Sequence, residues 1–118
     1  MKKTILLLGC IFGLFLAGCG ESAEKMYRKG NHAKGTDEKI QWYEKAAKRG
    51  HAVAQVELGI ILRDEKGDFE KAEKWLRKAA ASNDENAKSR ANINLRTLDS
   101  MKRSGARERE MREYGFHL

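Results

Sequence analysis

The stretch Trp42–Ala47, WYEKAA, returns further along the chain as Trp75–Ala80, WLRKAA. The same shift, from position 42 to position 75, places Leu62 on Leu95. Repeats built from a helix, a turn and a second helix have a similar period of about 34 residues. The chain contains no proline, and Ala, Lys, Glu and Arg dominate it, all of which favour helix. The sequence therefore predicts an all-α protein.

Polar caps and glycines divide the chain into about five helices. Thr36 precedes two acidic residues and is a favourable N-terminal cap, whereas Gly50 is typical of a helix end. Gly67 breaks the third helix, and Asp68 caps the fourth. The predicted spans are 22–33, 37–49, 52–64, 69–80 and 85–98.

The segment 99–118 differs in composition from the repeats. Charges of both signs alternate there, and Glu108 lies four residues before Arg112, the spacing that supports an exposed helix. Gly105 is expected to interrupt this helix. We predict a charged helical extension of the fifth helix or a flexible tail.

The N-terminus carries a targeting signal. Lys2 and Lys3 precede the apolar run Ile5–Ala17, which is too short for a comfortable bilayer crossing of about 20 residues. The run ends in Leu16–Cys19, LAGC, which resembles the lipobox of bacterial lipoproteins. The alternative is an ordinary signal peptide that happens to end in Gly-Cys.

The lipobox resemblance implies a topology and a location. Residues 1–18 would be a lipoprotein signal peptide, and Cys19 would become the first residue of the mature chain, acylated with palmitate among its chains. Residues 19–22 would form the tether to the lipid bilayer. Gly20 stands where an aspartate would signal retention in the inner membrane. The implied location is therefore the cell envelope, at the outer membrane and facing the periplasm.

Composition argues against several classes of site. Removal of Lys2 and Lys3 with the signal lowers the net charge from +7 to +5. Cys10 also leaves, so that an acylated Cys19 leaves no disulfide, and the three histidines lack the spacing of a zinc site. We expect no metal and no cofactor. Since basic residues are interleaved with acids in an envelope protein, we expect no nucleic-acid partner.

Two segments carry a family resemblance. Ala54–Leu62, AxxxLGxxL, followed by Asp68–Ala80, DxxKAxxWxxKAA, resembles a Sel-one-like repeat, a relative of the tetratricopeptide repeat. Trp42–Gly50 resembles the second half of a preceding unit. Leu62 and Leu95 depart from the pattern, because the family prefers tyrosine there. The resemblance covers residues 23–98 and implies a short right-handed α-solenoid of antiparallel helix pairs.

Such solenoids bind partners on a concave surface lined by the first helix of each pair. The family pattern places the following residues on that surface: Lys25, Arg28, Val53, Val56, Ile60, Arg63, Ser89, Ile93 and Arg96. If Tyr27 is equivalent to Leu62 and Leu95, the three arginines that follow these residues form a ladder. A guanidinium ladder suits carboxylates, so that the protein partner would be acidic. The alternative is a chance alignment in a basic chain.

Catalysis is the less favoured class of function. No histidine before the C-terminal tail stands in helical register with a carboxylate, and no activated nucleophile is apparent. We therefore predict a non-catalytic protein–protein interaction adaptor at the membrane. The alternative is a periplasmic immunity protein that neutralises a secreted toxin, a function that some lipoproteins with these repeats resemble.

Overall fold

The computed structural model describes residues 20–115, and it confirms the predicted all-α fold. Cys19, the predicted signal peptide and residues 116–118 lie outside the described residues. The described part contains five helices and no strand. These are α1 (Ala23–His32), α2 (Thr36–Lys48), α3 (Ala52–Asp64), α4 (Phe69–Ala80) and α5 (Glu85–Glu113).

Local sequence explains where four of the helices begin. The side chains of Ser22, His51, Asp68 and Asp84 each accept a hydrogen bond from the backbone N–H three residues later. Such caps satisfy one of the amide groups that the first turn of a helix leaves unpaired. α2 differs from the prediction, because its capping position is Gly35 and no side chain caps it. Thr36 instead lies inside the helix, and its hydroxyl donates to Glu65 before α4.

Two glycines turn the chain between helices. Gly50 has a φ of 85° between α2 and α3, and Gly67 has a φ of 64° between α3 and α4. Side chains with a Cβ disfavour this left-handed region, so that glycine suits both turns. Both positions agree with the helix ends predicted from the sequence.

The helices repeat with unequal spacing. The interval from the start of α2 to the start of α4 equals that from α3 to α5, but the interval from α1 to α3 is shorter. Gly30 of α1 faces Tyr43, just as Gly59 of α3 faces Leu76. Gly30 is therefore equivalent to Gly59. The expected equivalence of Tyr27 with Leu62 is wrong, because α1 and the turn after it are together shorter than α3 and its turn.

Each helix packs on the next, and α3 also contacts α5. α3 is thus the central helix, and its Val56 and Leu58 are fully buried with Leu76 and Leu98. Small side chains fill the places where helices approach most closely. These are Ala46, Ala47, Ala54, Ala72, Ala79, Ala87 and Ala91, all of them buried.

α5 runs far beyond the repeat region. It spans 29 residues and ends at Glu113, so that the described part of the segment 99–118 is a helical extension as far as Glu113. The expected break at Gly105 is wrong: no atom lies near enough to crowd a Cβ there, and the helix continues. Lys102 contacts Glu73 of α4, whereas the ion pair of Arg103 joins it to Asp99 of its own helix. The extension therefore leaves the core after Lys102.

Within residues 20–115, no helix combines the length and the apolar character that a membrane crossing requires.

Candidate functional site

The site predicted from the sequence is formed mainly by α3 and α5, which polar contacts join. Arg63 of α3 donates to the side chain of Asn94, with Nη1 at 2.8 Å from Oδ1. One to two turns earlier, Arg90 of α5 donates to Glu57, with Nη2 at 2.6 Å from Oε1. These two contacts determine which faces of α3 and α5 remain exposed beside them.

Arg63 is not an open binding residue. Only 8% of it is exposed, because its guanidinium lies between Asp64 and Asn94. Its hydrogen bonds lower the pKa of the Asp64 carboxyl. The expectation that Arg63 lies on an exposed face is wrong. Its contacts join α3 to α5. The sequence alone could not assign Arg63 to this junction, because the assignment depends on how α5 packs on α3.

Val56 is also misplaced by the prediction, because it is fully buried and belongs to the core. α3 contacts three other helices, so more of its circumference is buried than one apolar stripe would indicate. Val53 and Ile60 are half-buried and pack against the core. Ile93 of α5 is 59% exposed and is the largest apolar side chain that the predicted surface leaves open.

The predicted arginine ladder does not form. Arg28 and Arg96 are exposed, while Arg63 is buried. Since Gly30 is equivalent to Gly59, Arg28 corresponds in register to Glu57 and Arg90 rather than to Arg63. At this register position α1, α3 and α5 therefore carry Arg28, Glu57 and Arg90, and the side chains of Glu57 and Arg90 pair with each other.

Carboxylates satisfy most of these guanidinium groups. Arg28 Nε lies 2.9 Å from Glu24 Oε1 on its own helix. Arg90 is paired with Glu57, and Arg63 with Asp64. Among residues 20–115, no ion pair joins Arg96 to a carboxylate. The face therefore offers an apolar centre with Arg96 at its edge, and little of a continuous cationic surface.

A junction between α1 and α3 was missed by the sequence analysis. His51 caps α3 through Nδ1, while its Nε2 lies 2.9 Å from Glu24 Oε2. Its ring also stacks on Tyr27, with ring centroids 4.6 Å apart. The hydrogen bond from His51, followed by that from Arg28, lowers the pKa of Glu24. The position of His51 directly after a helix-ending glycine is the signal that marks it as a cap.

A second group of residues, also missed, lies on α1 and α2. Lys29 Nζ lies 4.4 Å and Lys45 Nζ 4.3 Å from the centre of the half-buried Trp42 ring. Lys29 also pairs at 2.5 Å with Glu21, and this hydrogen bond lowers the pKa of the Glu21 carboxyl. A cleft of about 440 Å³ opens beside the ring. It is lined by Lys25, Arg28, Lys29, His32, Ala33, Glu38 and Trp42.

The described residues hold no group of three or more His, Cys, Asp and Glu side chains arranged as metal ligands. No family model, curated protein or solved structure matches this chain.

Proposed function

We propose that this chain is a lipid-anchored, non-catalytic adaptor of the cell envelope that binds a protein partner. In this proposal its five helices form a short right-handed α-solenoid related to the Sel-one-like and tetratricopeptide-like repeats. The support for the repeat is the constant shift along the chain that relates α2 to α4 and α3 to α5. The support for the anchor is the LAGC sequence that ends at Cys19.

The observation that carries the binding function is the exposure of Ile93. An aliphatic side chain that is 59% exposed gains free energy when a partner removes it from water. The α3–α5 contacts place it beside half-buried apolar groups: Ile60 lies one turn from Glu57 on α3, and Ile93 lies one turn from Arg90 on α5. Val53 extends this apolar centre by two turns of α3. We name Val53, Ile60 and Ile93 the apolar groove.

Charge at the groove contributes less to the choice of partner than apolar contact does. The guanidinium group of Arg90 already has a carboxylate neighbour, Glu57, which an incoming acidic group would have to displace, whereas Arg28 lines the cleft beside Trp42. Arg96, on the exposed side of α5, lacks such a neighbour within the described chain and is the residue best suited to a carboxylate of the partner. A charge at the rim mainly alters the association rate and its salt dependence.

Placement at the membrane is tested separately from binding. Cys19→Ser should abolish lipid labelling and leave an uncleaved or soluble precursor. Mass spectrometry of the N-terminal peptide and membrane fractionation measure the two effects. If the variant still carries lipid and is cut before residue 19, the anchor proposal is wrong.

Binding is tested by photo-crosslinking in intact envelopes. A photoreactive residue at position 93 should give one dominant crosslinked product, whereas the same residue at the exposed position of Lys74 on α4 should not. Ile60→Asp should remove the product by placing an unpaired charge in the groove, and Arg96→Glu should weaken it. Circular dichroism checks that both variants keep their helix content.

The identity of the crosslinked protein separates the two candidate functions. A structural component of the envelope supports the adaptor, whereas a secreted toxin would establish the immunity function in its place. Equal crosslinking from positions 93 and 74, unaffected by Ile60→Asp, would exclude the groove as the binding site.

A further inference from the structure

Trp42 lies in the first helix pair, α1 with α2, and Trp75 occupies the equivalent place in the second pair, α3 with α4. The surroundings of the two rings differ. A small cavity of about 100 Å³ beside Trp75 is lined by Ile40 and Glu44 of α2, so that this tryptophan lies where the second pair meets the first. Each ring carries one lysine of its own helix, Lys45 at 4.3 Å from the centre of Trp42 and Lys78 at 4.7 Å from the centre of Trp75. No helix within residues 20–115 precedes α1, and Trp42 is covered in addition by Lys29 of α1.

Basic residues surround Trp42 on one face. Lys25 and Lys29 approach Glu21 at 3.9 Å and 2.5 Å, and Arg49 donates to the backbone carbonyl of the same residue. Lys45 also acts on the Glu21 carboxylate, so that three lysines and Arg49 surround this residue, and Glu38 lines the adjoining cleft. We name Lys25, Lys29, Trp42, Lys45 and Arg49 the anchor-side face.

Of the segments that form α1 with α2 and α3 with α4, only the first carries excess positive charge. Residues 20–50 hold eight Lys and Arg against five Asp and Glu, whereas residues 51–83 hold six of each. The first helix pair is therefore basic and the second is neutral. Basic residues that lie beside a membrane attract anionic lipid within about one Debye length, roughly 8–10 Å.

The covalent chain keeps this face close to the proposed acylation position. Three residue steps separate Cys19 from Ser22, the cap of α1. An extended chain spans at most about 3.6 Å per residue, so that this linker reaches no further than roughly 11 Å. Glu21, which lies within the linker, itself contacts the anchor-side face.

We propose that the anchor-side face docks on anionic phospholipid, with Trp42 at the boundary between headgroups and acyl chains. Tryptophan suits this boundary because its ring is apolar while its N–H can still hydrogen-bond, and lysine stems extend their ammonium groups towards the headgroups. Lys25, Lys29, Lys45 and Arg49 bind the lipid phosphates. This inference rests on the acylation of Cys19 and adds an orientation, in which the first helix pair lies on the bilayer.

Single-tryptophan variants of the mature lipidated protein test the orientation in vesicles. Trp75→Phe leaves Trp42 as the reporter, and Trp42→Phe leaves Trp75 as the matched control. Vesicles contain brominated phosphatidylcholine, with or without phosphatidylglycerol, and quenching of tryptophan fluorescence by bromine is measured. We expect strong quenching of Trp42 in the anionic vesicles, a loss of that quenching in zwitterionic vesicles or at high salt, and little quenching of Trp75 in either.

A second experiment measures the same quenching in charge-reversal variants. Lys25→Glu with Lys29→Glu should abolish the quenching of Trp42, whereas Lys71→Glu with Lys74→Glu on the neutral second pair should leave it unchanged. Co-sedimentation of the protein with both kinds of vesicle measures the anchor independently. Protein that co-sediments but shows equal quenching of Trp42 and Trp75 overturns the docking inference and leaves the anchor intact. Protein that co-sediments with neither vesicle overturns both.

Discussion

The first helix pair, α1 with α2, and the second pair, α3 with α4, share one backbone packing but fill it with different side chains. A Cβ added to Gly30 would lie 2.5 Å from the Tyr43 ring, and one added to Gly59 would lie 2.6 Å from Leu76 Cγ. Both pairs therefore need a glycine at this crossing. The side chain that packs against the glycine is aromatic in one pair and aliphatic in the other.

In the first pair the aromatic side chain, Tyr43, also makes polar contacts. The Tyr43 hydroxyl donates to Asn31 at 2.8 Å, its ring stacks on Tyr27, and burial raises the pKa of its phenol. The second pair instead buries Leu58 and Leu76 completely. Backbone proximity thus constrains the glycine strictly, whereas the facing residue only has to fill the space.

The largest expected contrast between the pairs is in their cores. Leu76→Ala should lower the free energy of unfolding by about 2–5 kcal/mol, because it leaves a cavity at a fully buried position. Tyr43→Phe keeps the ring and loses one hydrogen bond, so that we expect about 0.5–1.5 kcal/mol. Urea unfolding followed by circular dichroism measures both. Equal losses would show that the hydroxyl matters as much as the aliphatic core.

The glycine crossings test whether the two pairs are equivalent. Gly59→Ala and Gly30→Ala should each cost about 1–3 kcal/mol through overpacking, since Leu76 and Tyr43 are themselves buried. Gly105→Ala is the matched control, because nothing crowds its Cβ in the middle of α5. It should raise stability by up to about 1 kcal/mol through helix propensity. A neutral Gly30→Ala would mean that the first pair is more loosely packed than the second.

Arg63 sharpens the comparison, since it joins the second pair to α5. Arg63→Ala should cost about 1 kcal/mol through the lost hydrogen bond to Asn94. Arg96→Ala, at an exposed position of α5, should stay within about 0.5 kcal/mol of the parent. Thermal unfolding of the two variants under the same conditions makes the comparison. Similar effects at both positions would show that the Asn94 contact adds nothing to stability.

The smallest effect is expected where the first pair meets the second. The pKa of Glu24 is lowered in the folded protein, chiefly by its hydrogen bond with His51. Its contribution to stability is therefore present above the ordinary glutamate pKa of roughly 4.3, and it is lost as the pH falls through the lower folded value. The urea midpoint of Glu24→Gln should lie slightly below that of the parent at pH 6. The difference should disappear in acid, and a gap that persists there would assign it to something other than the charge.

Much of the fold could be predicted from the chain alone, because its signals are local. The cap at Asp68, the turns at Gly50 and Gly67 and the span of α3 depend on residues adjacent in sequence, and the structure agrees with each. Gly105 failed as a helix breaker, since one glycine costs only about 1 kcal/mol and the flanking residues favour helix.

The candidate site was predicted less well, because it depends on how helices meet. The prediction placed Val56 and Arg63 on an open surface, but Val56 lies in the core and Arg63 is held by Asp64 and by Asn94 of α5. Ile93 and Arg96, on α5, are exposed. The junction of Glu24 with His51 joins residues 27 positions apart, a distance that no helical period reports.

The sequence by itself determined the helices and their turns, because hydrophobic period, capping and glycine act within a few residues. Tertiary structure alone decided that Gly30 corresponds to Gly59, that Arg63 is a buried contact and Ile93 an exposed one, and that Lys29 and Lys45 cover Trp42. Exposure depends on which neighbour arrives from elsewhere in the chain. That neighbour is set by the angle and distance at which whole helices pack.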